Sequence, residues 1–286
     1  MRQQLVRMSS TDGIEMPGIL YRPETDTNKL VIHVHGLNGN FYENRFIDSL
    51  AAAYTDRGYA LLTFNNRGKD FIAELLKGDG IMVIGGSLER FPDCLLDIEG
   101  AVKWGKEQGY QDIMLEGHSY GCNKVIYYYA HKKSPEIKQL VLLAPCDIPA
   151  ECTKFLTPEE YELARTDSTR LVEAGRETEL IDFPVMANGK IAAGTYYHDF
   201  LPGGETDFIK YSDGENAKSA VLTAIEIPVL VIFGDTDECV LTQPLNVVTK
   251  YLANNLKTCD IQIIAGADHS YTGKAKELGE VIRRSC

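Results

Sequence analysis

The sequence predicts an α/β fold, with a mostly parallel β-sheet that is doubly wound, so that helices cover both of its faces. Short apolar runs alternate with amphipathic stretches along most of the chain, which is the pattern of repeated strand–helix units. The apolar runs are nearly continuous, as expected for strands that are buried on both sides. The 286 residues suffice for one large domain with a sizeable core and a small insertion.

The first elements predict a hairpin and then a strand–helix–strand unit. Residues 5–8 and 14–21 flank the turn sequence Thr11-Asp12-Gly13, which is typical of a hairpin. Three elements follow: a buried strand at 30–34, a helix at 44–57 and a strand at 60–64.

The alternation continues after a glycine-rich stretch at 69–90, for which we expect a loop near the functional site. Pro92 begins a predicted helix, because proline suits the first helical turn, and Gly109 ends it. The elements predicted after it are a strand at 113–115, a helix at 123–130, strands at 140–143 and 229–233, a helix at 244–252, a strand at 261–264 and a helix at 275–282.

One long segment breaks the pattern and predicts a cap or lid. Residues 147–224 contain no clean strand, so we divide the chain into a core, 1–146 and 225–286, and a cap insertion, 147–224. Thr157 and Glu160 predict a helix start with a capping box. The stretch 183–214 is rich in aromatic residues, which either line a pocket for an apolar group or pack against the sheet. The insertion is also rich in Glu, for which a solvated helix face is the favoured interpretation.

The composition argues against several classes of partner. A net charge of −12 without a basic stripe disfavours nucleic acid and anionic membranes. No apolar run approaches the ~18 residues of a membrane span, and we see no signal peptide. The seven cysteines are scattered and form no C-x-x-C pair, which disfavours a zinc site or a disulfide framework and favours a cytoplasmic location.

The clearest chemical motif is Gly117-His118-Ser119-Tyr120-Gly121, which matches G-x-S-x-G. A predicted strand precedes it and a predicted helix follows it, as a nucleophile elbow requires. The glycines allow the strand and the helix to approach around a strained serine. Ser119 is therefore the predicted nucleophile, and a glycine-rich turn with an idle serine is the alternative.

A serine nucleophile needs a base, and histidine is the usual one because its pKa lies near neutrality. The six candidates are His33, His35, His118, His131, His198 and His269. His269 follows the last predicted strand and gives the chain order Ser…Asp…His that such sites show. It is therefore the predicted base.

The acid is expected in the loop after the strand at 229–233. Asp235, Asp237 and Glu238 all lie there, and the spacing G-x-x-D-x-x-V of related enzymes selects Asp237. Asp235 suits a turn, where its side chain bonds to nearby backbone. Asp237 would fix the tautomer of His269 and stabilise its protonated form.

An oxyanion hole needs two backbone N–H donors. Tyr120, directly after the nucleophile, is one predicted donor, and Leu37 in the loop after the strand at 30–34 is the other. We expect His35, Gly36 and His118 to support the site rather than to react.

These motifs resemble those of α/β-hydrolases, in particular bacterial relatives of the fungal fusarinine C esterases, which hydrolyse ester bonds in hydroxamate siderophores. The segments that carry the resemblance are HVHGLNGNFYEN (33–44), NNRGKDF (65–71), EGHSYGCNKVIYY (116–128), GDTDECV (234–240) and GADHSYTGK (266–274). The resemblance implies the α/β-hydrolase fold, the triad Ser119, Asp237 and His269, and the donors Leu37 and Tyr120.

The predicted reaction is hydrolysis of a small-molecule carboxylic ester through an acyl-enzyme, without metal or cofactor. Amide or peptide cleavage, thioester hydrolysis and acyl transfer are alternatives on the same triad. A non-catalytic ligand-binding protein is the alternative outside the enzymes. The sequence leaves the natural substrate and the oligomeric state open, with a homodimer as one option.

Overall fold

The structure, a computed structural model, describes residues 1–181 and 190–286. Phe183, one of the aromatic residues of the predicted cap, lies outside the described residues. The strands are β1 (Arg2–Ser9), β2 (Glu15–Arg22), β3 (Lys29–Val34), β4 (Ala60–Phe64), β5 (Ala73–Lys77), β6 (Gly80–Ile84), β7 (Asp112–His118), β8 (Ile137–Leu143), β9 (Val229–Gly234) and β10 (Cys259–Ile264). The helices are α1 (Ile47–Asp56), α2 (Cys94–Glu107), α3 (Tyr120–Lys132), α4 (Ile148–Lys154), α5 (Pro158–Glu173), α6 (Ala193–Thr195), α7 (Ala220–Thr223), α8 (Leu245–Asn255) and α9 (Ala275–Ser285).

Eight strands form one sheet in the order β1-β2-β4-β3-β7-β8-β9-β10. The hairpin β1–β2 is antiparallel, and β2 pairs antiparallel with β4. The strands from β4 to β10 along the sheet pair parallel with one another. The predicted fold class is therefore confirmed, and the carboxyl ends of β3, β7, β9 and β10 meet at one edge of the sheet.

The helices cover both faces of the sheet, because successive side chains of each central strand point to opposite faces. In β3, Leu30 and Ile32 lie in one apolar core, and Val31 lies in the other. Helices α2, α3 and α8 contribute buried side chains to the first core, and α1 and α9 contribute to the second. None of the described helices is long and apolar enough to span a membrane.

The prediction of a loop at 69–90 is wrong. Strands β5 and β6 form an antiparallel hairpin, with Lys77 opposite Gly80 across a short turn. Gly78 has a φ of 58°, which glycine adopts at little cost. The hairpin packs Leu75 and Ile84 against Ile14 but leaves Leu76 exposed. Because apolar residues lie on both faces of this hairpin, its sequence lacks the alternation of apolar and polar residues that would have predicted strands.

Residues 69–90 nevertheless lie beside the loop that follows β3, as expected. The N–H of Asp70 donates to the carbonyl of Gly39 at 3.3 Å. A Cβ on Gly86 would overlap the side chain of Asn38. The hairpin is thus anchored against the segment that we predict to supply an oxyanion donor.

The described part of residues 147–224 contributes no strand to the eight-stranded sheet. It contains α4 to α7 and a π-helical turn at Tyr196–Phe200. The predicted capping box is confirmed, since the Thr157 hydroxyl accepts from the N–H of Glu160 at 3.2 Å and the Glu160 carboxylate accepts from the N–H of Thr157 at 2.8 Å. Four of its aromatic side chains are buried in the main core, which favours packing over pocket lining: Tyr196, Phe200, Phe208 and Tyr211.

A buried ion pair couples α3 to the segment that precedes α2. The Lys124 ammonium donates to both carboxylate oxygens of Glu89, at 2.9 and 2.8 Å, and each side chain is 1% exposed. We expect Lys124→Met to lower the free energy of unfolding by about 3–5 kcal/mol, because Glu89 would remain buried without a counter-charge. Adding Glu89→Leu should recover most of that loss, as measured by urea denaturation.

The matched control is Lys103→Met, which removes a lysine from an exposed i,i+4 pair with Glu107. This change should lower the free energy of unfolding by less than about 1 kcal/mol. Equal losses in the two single variants would contradict the role given to the buried pair.

Candidate active site

Ser119 lies in the sharp turn between β7 and α3. Its φ of 56° and ψ of −129° are unfavourable for a residue with a side chain. Two backbone hydrogen bonds hold this conformation: the N–H of Ser119 donates to Leu143 at 2.8 Å, and its carbonyl accepts from Cys122 at 2.8 Å. The turn therefore presents a strained serine at the carboxyl end of β7.

Three glycines make the turn possible. A Cβ on Gly117 would overlap the backbone of Gly121, and one on Gly121 would overlap the carbonyl oxygen of Val34. A Cβ on Gly36 would lie 3.0 Å from the Cβ of Ser119. The predicted need for small residues around the serine is confirmed.

His269 and Asp237 meet at the same edge of the sheet, after β10 and β9. The Nδ1–H of His269 donates to Asp237 Oδ2 at 2.9 Å. The other carboxylate oxygen of Asp237 accepts from the N–H groups of Cys239 and Val240, at 3.0 and 3.2 Å. Asp237 is 1% exposed, so this carboxylate is fixed and shielded from water.

Asp235 has a different partner. Its carboxylate accepts from the N–H of Gly266 at 2.6 Å and so ties together the loops that follow β9 and β10. The structure therefore places Asp237, and not Asp235, on the imidazole of His269. The backbone carbonyl of Glu238 accepts from the Lys154 ammonium.

His269 lies next to the serine turn. Its ring centroid is 5.0 Å from that of His118, whose Nε2–H donates to the backbone carbonyl of His269 at 2.9 Å. The Ser119 hydroxyl is paired with the Cys146 thiol at 3.6 Å, and the described residues show no hydrogen bond between Ser119 and His269. Catalytic hydrogen bonds are often long in the absence of substrate, and rotation of the Ser119 side chain redirects its hydroxyl.

His35 braces the loop after β3, in keeping with the supporting place we expect for it. Its Nδ1–H donates to the carbonyl of Gly36 at 2.9 Å, and its Nε2 accepts from the N–H of Asn66 at 3.2 Å. Burial, with the nearby charge of Lys124, lowers the pKa of His35 to about 3. Burial and the neighbouring His269 also hold the pKa of His118 well below its usual value. Neither ring is therefore suited to accept the proton of Ser119.

The other three histidines lie away from the serine or are already bonded. His33 is buried against Glu116, with 2.7 Å between Nδ1 and Oε1. The Nδ1–H of His131 donates to the carbonyl of Tyr127 within α3. His198 lies in the insertion, 3.8 Å from Glu177. His269 thus remains the candidate base.

The two predicted oxyanion donors flank the serine. Tyr120 is the first residue of α3, so its N–H has no partner within the helix. Leu37 follows Gly36, which contacts Ser119. Within the described residues, neither N–H donates to another group of the chain.

The sequence did not single out Cys146 or Glu151 as neighbours of the site. Burial and the charge of Glu151 hold the pKa of the Cys146 thiol well above its usual value. Burial and the charge of Asp237 do the same for the pKa of the Glu151 carboxyl, whose Oε2 has no partner among the described residues. Cys146 follows β8, so its position at the carboxyl end of a central strand was the available signal.

The other glutamates in the first part of the insertion match the solvated face expected of them. Glu159, Glu162, Glu173, Glu177 and Glu179 are exposed and Glu160 is half-buried. Several pair with arginines on the same surface, as Glu162 does with Arg165 at 2.7 Å. Glu151, at 2% exposure, is the exception among these glutamates.

Solved structures of α/β-hydrolases are similar to this chain over nearly its whole length. Est1E of Butyrivibrio proteoclasticus, solved with ferulic acid, is 22% identical with a TM-score of 0.67, and the match covers 98% of this chain and 97% of that one. The esterase domain of a Rhodothermus marinus protein is 17% identical with a TM-score of 0.64, covering 99% and 97%. The α/β hydrolase GrgF of Penicillium sp. sh18 is 15% identical with a TM-score of 0.67, covering 99% and 96%.

At these identities the likeness shows the α/β-hydrolase fold, and the reaction has to be argued from the site. No curated protein was found to be similar to the sequence. A sequence family described as "Protein of unknown function (DUF1749)" matches residues 15–284. The chain therefore belongs to the DUF1749 family, and its structure is that of an α/β-hydrolase.

Proposed function

We propose that the protein is a serine hydrolase that cleaves a carboxylic ester of a small molecule. Ser119 is the nucleophile, His269 the general base and Asp237 the acid that orients the base. The observation that carries the proposal is the 2.9 Å hydrogen bond between His269 and buried Asp237, at the same edge of the sheet as the strained Ser119.

In the proposed reaction the Ser119 hydroxyl attacks the ester carbonyl while His269 Nε2 accepts its proton. The N–H groups of Leu37 and Tyr120 bind the negative charge that forms on the carbonyl oxygen, and each such donor contributes about 10²–10³ in rate. The protonated His269 then gives its proton to the departing alcohol, which leaves an acyl group on Ser119. Water, deprotonated by His269, releases the acid and restores the hydroxyl.

Residues 147–224 form the cap of this proposed site over a core of 1–146 and 225–286. Support comes from the place of the insertion between β8 and β9, directly after Cys146, which contacts Ser119. The buried aromatic residues of the insertion stabilise its packing on α3, as Phe200 does against Tyr120 with 5.6 Å between ring centroids. The substrate would therefore be bounded by the insertion and by the loop after β3.

The closer relationship to the fusarinine C esterases remains a proposal that rests on the sequence motifs. It suggests the carboxylic ester of a hydroxamate siderophore as one substrate class, and the ferulic acid bound to Est1E suggests an aromatic acyl group as another. A panel with both kinds of ester, run against Ser119→Ala, would separate them.

A cytoplasmic location is also proposed, because all seven cysteines are free. The net charge of −12 is the reason why we propose neither nucleic acid nor membrane as a partner. The homodimer remains a prediction, which a measurement of the oligomeric state would test.

Amide or peptide hydrolysis is the second candidate, and one observation favours it. Glu151 is a buried acid near Asp237, and its unpartnered Oε2 offers a hydrogen-bond partner for a substrate amine. The same triad would also serve a thioester or an acyl acceptor.

Replacing Ser119 by Ala should lower p-nitrophenyl ester turnover by roughly 10⁵-fold or more, because the nucleophile is lost. A fluorophosphonate probe should label the wild-type protein and leave Ser119→Ala unlabelled. Equal labelling of the two proteins would remove Ser119 from the proposed mechanism.

Asp237→Asn should lower kcat by about 10⁴-fold, because the amide no longer selects the tautomer of His269 that accepts a proton at Nε2. Asp235→Asn is the matched control, since its partner is the N–H of Gly266. We expect this control to retain activity within a few-fold. A larger loss in Asp235→Asn than in Asp237→Asn would show that the acid is wrongly assigned.

The ester and amide proposals predict opposite preferences. We expect kcat/KM for p-nitrophenyl esters to exceed that for aminoacyl anilides by at least tenfold. Faster turnover of anilides, lost on Glu151→Gln, would instead support the peptidase proposal.

A further inference from the structure

A cysteine that the proposed reaction does not use lies beside the acid and the base. Cys239 is half-buried in the loop after β9, and its N–H donates to Asp237 Oδ1 at 3.0 Å. A sulfur atom of Cys239, a ring nitrogen of His269 and a carboxylate oxygen of Asp237 all lie within 4.8 Å of one another. Sulfur, imidazole nitrogen and carboxylate oxygen thus lie close together at one place.

This donor set matches the preference of zinc. Zn²⁺ binds thiolate, imidazole and carboxylate in a tetrahedron, with ligand atoms roughly 3.5 Å apart for bond lengths of about 2.0–2.3 Å. Side-chain rotations that move the three ligand atoms by about 1 Å would bring them to the spacing that zinc requires. The His269 side chain is 21% exposed and Cys239 is half-buried, so an ion can enter and water can supply a fourth ligand.

A second buried acid, Glu151, lies beside the cluster. Among the described residues, the salt bridge of Asp237 is to His269, and no lysine or arginine pairs with this buried carboxylate. Glu151, buried with its Oε2 unpartnered, lies close enough to act electrostatically on both Asp237 and Cys239. The Lys154 ammonium donates to the backbone carbonyl of Glu238 and to neither carboxylate, although its charge acts on Glu151 and Cys239.

We propose that Asp237, Cys239 and His269 form an inhibitory site for a thiophilic divalent cation, Zn²⁺ above all. Metal binding is independent of the proposed function, whereas inhibition rests on it.

The position of the proton on His269 explains why the ion would inhibit. Because a carboxylate can only accept, the hydrogen bond to Asp237 assigns the proton of neutral His269 to Nδ1 and leaves Nε2 as an acceptor. A metal at Nδ1 uses the lone pair of that nitrogen, so the proton moves to Nε2 and the Cys239 thiol releases its proton to water. Nε2 is then a donor and no longer accepts the proton of Ser119.

Binding is tested with Co²⁺, because a thiolate ligand gives this ion a charge-transfer absorption band. We expect the band in the wild-type protein, its loss in Cys239→Ser, and its disappearance when Zn²⁺, the tighter-binding ion, is added. Cys259→Ser is the matched control. Cys259 is also a partly buried cysteine, but it begins β10, whereas His269 follows the other end of that strand.

Ser119→Ala should keep the Co²⁺ band whether or not Ser119 is catalytic, so this readout separates the new site from the proposed function. A band of equal strength in Cys239→Ser, or none in the wild-type protein at millimolar Co²⁺, would overturn the proposal.

Inhibition is tested on ester turnover, with each variant compared with its own metal-free rate. Zn²⁺ should inhibit the wild-type protein and Cys259→Ser reversibly, with recovery on adding a chelator. Cys239→Ser should need at least tenfold more Zn²⁺ for half-inhibition. Equal sensitivity of Cys239→Ser and Cys259→Ser would contradict the assignment of the sulfur ligand.

Discussion

The close approach of α3 to β3 and β7 is the constraint on which the site depends. No Cβ fits at Gly117 or Gly121, because each glycine touches backbone of the neighbouring element. The approach forces Ser119 into a conformation that costs a side-chain-bearing residue of order 1–3 kcal/mol. The surrounding core, with α3 buried along most of its length, supplies the stability that holds this strain in place.

Parallel pairing then determines which residues can meet the serine. Because β3, β7, β9 and β10 run in one direction, the loops at their carboxyl ends lie at one edge, although their residues are far apart in the chain. Hydrogen bonds at this edge refine that placement: His118, at the end of β7, donates to the backbone carbonyl of His269, and Asp235 accepts from the N–H of Gly266. The charged Asp237 is kept in place by two backbone N–H groups as well as by the imidazole.

Local sequence signals and the topology of the sheet determine how much of the site could be predicted from the sequence. The elbow, the order of the elements and the capping box at Thr157 are local signals, and topology carries Asp237 and His269 to the serine. Side-chain neighbours across loops have no such signal, which is why Cys146, Glu151 and the cluster around Cys239 were not foreseen as parts of one site. The absence of C-x-x-C pairs disfavoured a zinc site, but that test examines only the spacing along the chain. It does not address which side chains lie close together in space.

The same arrangement that orients a base also makes a metal ligand. A histidine whose ring is fixed by a carboxylate is a standard unit of zinc sites, where the carboxylate sets the tautomer as it does in a triad. In this protein the carboxylate of Asp237 lies on Nδ1 of His269, so the proposed metal and the proposed catalytic tautomer exclude each other. What distinguishes the cluster from a bare His–Asp pair is the thiol of Cys239, since sulfur selects thiophilic ions over Mg²⁺ or Ca²⁺. Under the proposed inhibition, a residue with no part in the proposed chemistry therefore decides which ions stop that chemistry.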